Sequence, residues 1–496
     1  MKKTYPFLTI QKPKLTSLKI AHKILYYVIF CCFPYTFCQA SNGIEGYLSN
    51  FSVERGQSLN LYTSTTAPTF DLQIFHNGTH WQSVKKFTNL QGTYYSTPNN
   101  AWSQGAQWLN PVKLQTGSNW SGGLYTAVIK TKSYSKQLSF AVRENTPGTK
   151  SKILLLDNAT TQVAYNNWGG KSLYTFNSSD HIKAYELSLF RPGQNTALRQ
   201  QREFIAWAEH KNIPIEYAST MDLNNHPSLL NNYDTVVLAG HSEYWTKGMR
   251  NAYDSFVQNG GNAMILGGNT MWWQIRLDGN QQTGYKNAAY DPLYGTNNDL
   301  VTTNWYKAPV NDPENRSTGV SWRNGGYVNS QGFLPASQGY GGYTVTDASN
   351  WVYDGTNLKN GDTLGQKNAI VGYETDGALF TIVNGKPVVT GTDGTPLDFK
   401  ILGYSPAHTG NATMGIFQVP SGGTVFNAAT VNWADGLWNF NNATVADNNV
   451  STMTYNMLKR FSASVVPVPP AIYLFISGLI TLVGFTGKTF KLNTSD

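Results

Sequence analysis

Three chemically able side chains and one amide stand at the ends of two neighbouring apolar runs. Tyr233–Trp245 reads YDTVVLAGHSEYW and Asn262–Trp273 reads NAMILGGNTMWW. Each begins with a short apolar run, Val236–Ala239 and Ala263–Leu266, and breaks at glycine into polar residues. His241, Ser242 and Glu243 follow the first run, and Asn269 follows the second. Ser242 lies where a nucleophile elbow would, but the elbow reads G-x-S-x-G so that the last glycine lets the helix pack closely. Tyr244 takes that place here. Glu243 is a hard oxygen ligand, and His241 can bind metal or move protons. H-x-E on a loop reads equally well as a hydrogen-bonded pair supporting its own backbone. Two tyrosines in glycine-rich settings, Tyr125 in GGLY and Tyr165 in AYNNWGG, are further candidates, although packing is the ordinary reading at both. Trp168, Tyr174, Trp272 and Trp273 read as lining or core.

Several elements must position these groups. Short apolar runs bounded by glycine read as buried strands, and Thr246–Gln258 between them has helical length and pattern. In parallel α/β sheets the ligand site sits at the carboxyl ends of the strands, which is where His241, Glu243 and Asn269 fall. Upstream, Lys152–Leu156 and Pro214–Tyr217 read as strands and Ala197–His210 as a helix. This alternation predicts a parallel sheet with helices on both faces. From about Arg276 to Ala369 the alternation stops in a stretch rich in Gly, Asn, Tyr and Trp, read as an insertion over the strand ends. Ala369–Tyr373, Leu379–Val383 and Pro387–Val389 are expected as short strands, Met414–Phe417 and Gly423–Phe426 as the last strands of the main sheet, and Thr452–Phe461 as a closing helix. Ahead of all this, Gly43–Arg143 carries short alternating runs at Ser58–Ser64, Phe70–Phe75, Tyr125–Thr131 and Gln137–Val142. That is the pattern of an antiparallel sandwich.

The 496 residues carry a formal charge of +8, but six lysines and no acids lie within residues 1–40, and setting those aside leaves 31 basic against 29 acidic residues. A nucleic-acid role has no electrostatic support. Residues 1–40 read as a signal peptide: lysines precede the apolar Ile24–Phe37, and Cys38-Gln39-Ala40 offers a cleavage site. All three cysteines (Cys31, Cys32, Cys38) fall inside it, so the mature chain is expected to have no disulfide, thiolate ligand or cysteine nucleophile. At the other end, SVVPVPP (Ser464–Pro470) leads into the apolar Ala471–Phe485. This tail resembles a PEP-CTERM sorting signal of Gram-negative envelopes, which implies export, an exosortase-like processing partner and at least transient membrane contact through 465–485. A plain C-terminal membrane anchor is the alternative.

Longer segments carry a second resemblance. Ile44–Val53, Ser121–Ala127, Ala164–Tyr174, Gly240–Trp245, Gly267–Leu277, Asn311–Arg323, Val371–Ala378 and Val425–Leu437 resemble the N,N-dimethylformamidase beta (large) subunit family. The resemblance implies a mononuclear iron, ferric by the hardness of its donors, held by two tyrosinates and one glutamate. Carried onto this sequence the metal ligands are Tyr125, Tyr165 and Glu243, with His241 and Asn269 completing the catalytic set. It also implies a small amide substrate and a small accessory subunit. Phenolate and carboxylate suit a hard ion, His241 would carry the proton, and Asn269 would donate to the oxyanion. Trp168, Trp272 and Trp273 would supply apolar walls. The expected architecture is an immunoglobulin-like β-sandwich (41–145), then a flavodoxin-like parallel α/β domain of class I glutamine-amidotransferase type (146–462) with its insertion at about 278–368, then the sorting segment (463–496). Two other readings stand beside this one: Ser242-dependent hydrolysis, and a non-catalytic envelope or matrix binding protein.

Overall fold

A computed structural model describes residues 43–193, 199–328, 341–420 and 422–462. The expected signal peptide and sorting tail lie outside these residues. Among the described residues no helix is long and apolar enough to cross a membrane.

The N-terminal part is two sheets. One holds three strands, Ile44–Leu48, Ser58–Thr65 and Val112–Gln115. The other holds five: Ser52–Glu54, Ser135–Arg143, Gly123–Lys130, Thr69–His76 and Gln82–Gln91. The period of two is visible in Phe70, Leu72 and Ile74, which are buried while their neighbours are less so. Leu59 and Leu61 of the small sheet meet Leu72, Ile129 and Phe140 of the large one in a single core.

The second part is built on nine strands. Ile153–Asp157, Glu216–Ser219, Thr235–His241 and Asn262–Gly268 pair in parallel, with the first strand between the second and third. Their residues alternate between two cores. Ile153, Leu155, Val237, Ala239, Met264 and Leu266 face the helix Arg199–His210, through Phe204 and Trp207. Leu154, Leu156, Val236, Leu238, Ala263 and Ile265 face the helix Lys247–Gln258, through Met249, Tyr253 and Phe256. A strand buried on both faces must be apolar throughout, which is why these runs do not alternate in polarity. Thr246 caps the second helix by accepting from the amide of Met249 (3.1 Å).

The sheet is not parallel throughout, which corrects the expectation. Thr424–Asn427 joins Asn262–Gly268 in parallel, but Asn411–Gln418, Lys400–Pro406, Tyr343–Val345 and Thr363–Leu364 continue the sheet in antiparallel pairs. The reason is connection length: a few residues between Gln418 and Thr424 can only turn the chain back, whereas a parallel return needs a dozen or more. Two strands from the expected insertion thus extend the sheet edge. Ala369–Tyr373 is not a strand; the strand starts at Glu374 and runs to Gly377. Phe380–Val383 and Lys386–Val389 form a separate hairpin.

The sandwich is joined to the sheet by polar and apolar contacts. Ser52 donates to Asp222 (2.7 Å), Arg143 pairs with Asp222 (3.3 Å), and Leu124 enters the core around Leu155 and Phe204.

Candidate active site

The helix Ala159–Tyr165 begins one residue after the strand Ile153–Asp157 and ends on Tyr165. Its Thr161 hydroxyl accepts from the amide of Glu243 (2.9 Å), and Thr160 donates to the carbonyl of Tyr244 (2.7 Å). The helix therefore holds the loop that leaves Thr235–His241. On the other side the amides of Met271 and Trp273 donate to the carbonyls of Ser242 and Glu243 (2.8 and 2.9 Å). Glu243 is fixed from both neighbouring strand ends and is 2% exposed.

Oxygen atoms converge on this carboxylate. Tyr165 donates to Oε2 (2.8 Å), and Tyr174 lies 2.9 Å from Oε1 and 3.1 Å from Oε2. The two phenol oxygens are 2.8 Å apart. Behind them Tyr244 donates to the Tyr174 oxygen (2.6 Å) and Lys286 donates to Tyr244 (3.0 Å). The Lys286 ammonium also stands 3.3 Å from the centre of the Tyr174 ring and 4.5 Å from that of Trp273. Burial pushes this ammonium down to about 7 against the opposing pull of Glu243, so it is a full cation over the rings only below that pH.

Acid–base groups adjoin. His241 Nε2 is 3.1 Å from Glu374 and 3.4 Å from Glu243. Asn269 donates its side-chain amide to Glu374 (3.3 Å), and its backbone amide donates to Asp376 (2.8 Å). Burial disfavours the imidazolium, but Glu374, Glu243 and Asp376 outweigh it and push His241 up to about 9. Burial raises Glu243 as well, against the opposing pull of His241 and Lys286. Burial and the Glu243 charge lift the Tyr165 and Tyr174 phenols far above their ordinary range, so without a metal they stay protonated donors.

The expected metal ligands are only partly brought together. Tyr165 and Glu243 meet, but Tyr125 does not join them. Its place on Gly123–Lys130 turns its ring into the sandwich core, stacked on Trp120 and Phe140, with its hydroxyl donating to the carbonyl of Ser121 (2.8 Å). Tyr174, read from sequence as lining or core, stands beside Tyr165 and Glu243 instead. Asn269 adjoins the cluster with one side-chain N–H directed at Glu374 (3.3 Å). Ser242 is buried and its hydroxyl accepts from the indole N–H of Trp245 (3.0 Å); among the described residues no histidine or carboxylate hydrogen-bonds to it. Of the expected tryptophan walls, Trp168 lines the cavity described below. Trp273 packs on Lys286, and buried Trp272 packs on Tyr306 and Trp322.

Residues the sequence did not single out complete the site: Glu374, Lys286 and Arg191. Arg191 is fully buried and donates to the carbonyls of Val163, Asn166, Trp168, Lys171 and Ser188 at 2.9 to 3.3 Å. Burial pushes its guanidinium down to about 9. It satisfies carbonyls at the end of the Tyr165 helix and ties down the loop toward Tyr174, a favourable place for a cation. Arg191→Met strands five carbonyls and is expected to cost at least about 3 kcal/mol. Thermal unfolding of that variant checks this, and a melting temperature equal to the parent's would refute the role.

A cavity of about 790 Å³ opens onto this cluster, with His241, Tyr165 and Tyr373 at one end. Its far walls come from the sandwich, Glu45–Gly46 and Ser135–Leu138, and from Asn166–Trp168.

The family model for N,N-dimethylformamidase beta subunit-like proteins, C-terminal part, matches residues 75–446. The chain belongs to the N,N-dimethylformamidase beta subunit-like family. The N,N-dimethylformamidase beta subunit of Paracoccus aminophilus is 25% identical over 291 residues, covering 52% of this chain and 36% of that protein. That of an Alcaligenes species is 25% identical over 290 residues with the same coverage. The aligned region thus spans about a third of the length of these relatives. The family region includes every residue of the Tyr165–Tyr174–Glu243 cluster, together with His241, Lys286 and Glu374.

Proposed function

We propose that this chain is an iron-dependent amide hydrolase in which Tyr165, Tyr174 and Glu243 hold the metal. One observation carries the reading: three hard oxygen donors, two from the segment Ala164–Tyr174 and one from the loop after Thr235–His241, lie 2.8 to 3.1 Å from one another in a largely buried site. Deprotonated, these three oxygens would make a set of hard donors for a small cation. Among the described residues no group of three or more His, Cys, Asp or Glu is set to hold a metal, so a metal here depends on the phenols. Phenolate and carboxylate favour a hard ferric ion over softer alternatives. This donor set keeps Tyr165 and Glu243 from the resemblance and replaces Tyr125 with Tyr174.

A ferric ion bound there supplies Lewis acidity for the carbonyl of an amide. The chain's own groups supply the rest. The neutral form of His241, which becomes the main form only as the pH approaches about 9, takes up the proton of the attacking water and returns it to the leaving amine. Asn269 steadies Glu374, and Glu374 orients the imidazole. Lys286 faces the ring of Tyr174 and, through Tyr244, its oxygen, which favours the phenolate form that a ligand needs. The cavity admits the substrate along the His241 side.

The relatives' family name supports the amide as substrate class, and their designation as beta subunits supports a small accessory subunit as partner. The export reading rests on residues 1–40 and 463–496 and belongs to the same proposal. The test is amine release from a panel of formamides and acetamides by the iron-reconstituted protein. Turnover that requires iron supports the reading. No turnover of any amide by a protein carrying one iron per chain would instead favour the binding-protein alternative, for which the large cavity is the supporting observation.

A further inference from the structure

The cavity in front of His241 is far larger than the substrate named by the relatives requires. Pockets of about 300–1,000 Å³ hold drug-sized ligands, and this one, at about 790 Å³, falls in the upper half of that range. An amide of five heavy atoms would leave most of it to water, and binding energy from the remote part of a substrate would go unused.

Its lining defines what the remainder of the substrate must be. Trp168 is half-buried and held in place: its indole N–H donates to Glu45 (3.2 Å) and its ring meets Trp108 edge-on. A fixed, partly exposed indole is a platform for the face of a ring. Around it the polar groups are hydrogen-bonding side chains with capacity to spare. Among the described residues, Glu45 has a second carboxylate oxygen without a partner, the Gln137 amide makes no hydrogen bond, and Asn167 uses only its N–H, toward Asn177 (2.8 Å). Lys136, the strand neighbour of Gln137, also lines the cavity. Acceptors and donors therefore both line the cavity that holds this indole. A plain aromatic or alkyl substituent would leave these groups unpaired when it displaced their water, which disfavours its binding. A ring carrying several hydroxyls, each both donor and acceptor, pairs with them.

We infer that the substrate is an N-acylated amino sugar, its small acyl amide at His241 and its hydroxylated ring on Trp168 between Glu45 and Gln137. This rests on the hydrolase reading for its chemistry, but the sugar subsite stands on the cavity alone. It also accounts for the fusion of the two parts of the chain. The sandwich contributes no side chain to the Tyr165–Glu243 cluster, yet it forms the wall that this ring would contact.

The experiment compares N-acetylglucosamine with dimethylformamide as substrates of the iron-loaded full chain, and measures calorimetric binding of the sugar to the same protein. The expected result is a kcat/KM at least tenfold higher for the sugar amide, with Trp168→Ala reducing that ratio tenfold or more and weakening sugar binding in parallel. Gln137→Ala gives a second, milder reading at an exposed position where folding is not at risk. Turnover of dimethylformamide with neither binding nor turnover of the sugar would overturn this inference and leave the hydrolase reading intact. Sugar binding that Trp168→Ala weakens, without hydrolysis of any amide, would uphold the subsite and overturn the hydrolase reading. A sugar-to-formamide ratio that neither variant changes would also overturn the inference.

Discussion

Glu243→Ala is expected to remove iron and amide hydrolysis together, lowering kcat/KM by at least about a thousandfold, or about 4 kcal/mol of barrier. Glu243 accepts from both phenols and lies near His241. Its loss removes the only carboxylate in the proposed donor set and leaves the Tyr165 hydroxyl without its acceptor. The fold should survive, because the loop is pinned through the backbone of residues 242–244 to Thr160, Thr161, Met271 and Trp273 rather than through this side chain. Iron analysis, a turnover assay and a circular dichroism spectrum, taken together, check all three parts. A folded Glu243→Ala protein that still hydrolyses amides would contradict the mechanism.

His241→Asn is the second large effect. Removing a positioned proton carrier costs about 10²–10⁴ in rate, and here the loss should fall on kcat while iron content stays near that of the parent, since His241 is outside the donor set. Glu374→Gln should lose less, about 10–100-fold, as expected for a group acting through the one that moves the proton. It removes the carboxylate that most strongly favours the charged imidazole, so the limb of the kcat–pH profile governed by His241 should move to lower pH. Unchanged pH dependence in Glu374→Gln would show that Glu374 does not orient or charge His241.

Much of this site was legible in the sequence, and the parts that were not have physical reasons. The runs Val236–Ala239 and Ala263–Leu266 are apolar throughout because their strands are buried on both faces, and that marked both strand ends. His241, Glu243 and Asn269 follow those ends directly, so local reading located them. The role of Asn269 was not local: only the fold shows that Glu374, more than a hundred residues later, takes its amide. Lys286 and Arg191 carry no periodic signal, and each acts through contacts made across loops. Tyr125 and Tyr174 were exchanged for a specific reason. The glycine-rich segment before Tyr125 looked like a site, yet strand alternation already assigned that ring to a face, and the face is the sandwich core. Tyr174 closes the segment Ala164–Tyr174 that carried the family resemblance, and the eight residues of irregular loop between them let it return beside Tyr165. The antiparallel half of the main sheet was readable too, from the short link between Gln418 and Thr424.

The identity of the two phenol ligands is the central claim, and iron stoichiometry in three tyrosine variants tests it most directly. The account predicts about one iron per chain in the parent protein and in Tyr125→Phe, which loses a single hydrogen bond to Ser121 worth about 1 kcal/mol. It predicts loss of iron in Tyr165→Phe and Tyr174→Phe. Iron lost from Tyr125→Phe and retained in Tyr174→Phe would contradict it, as would a parent protein that takes up no iron on reconstitution.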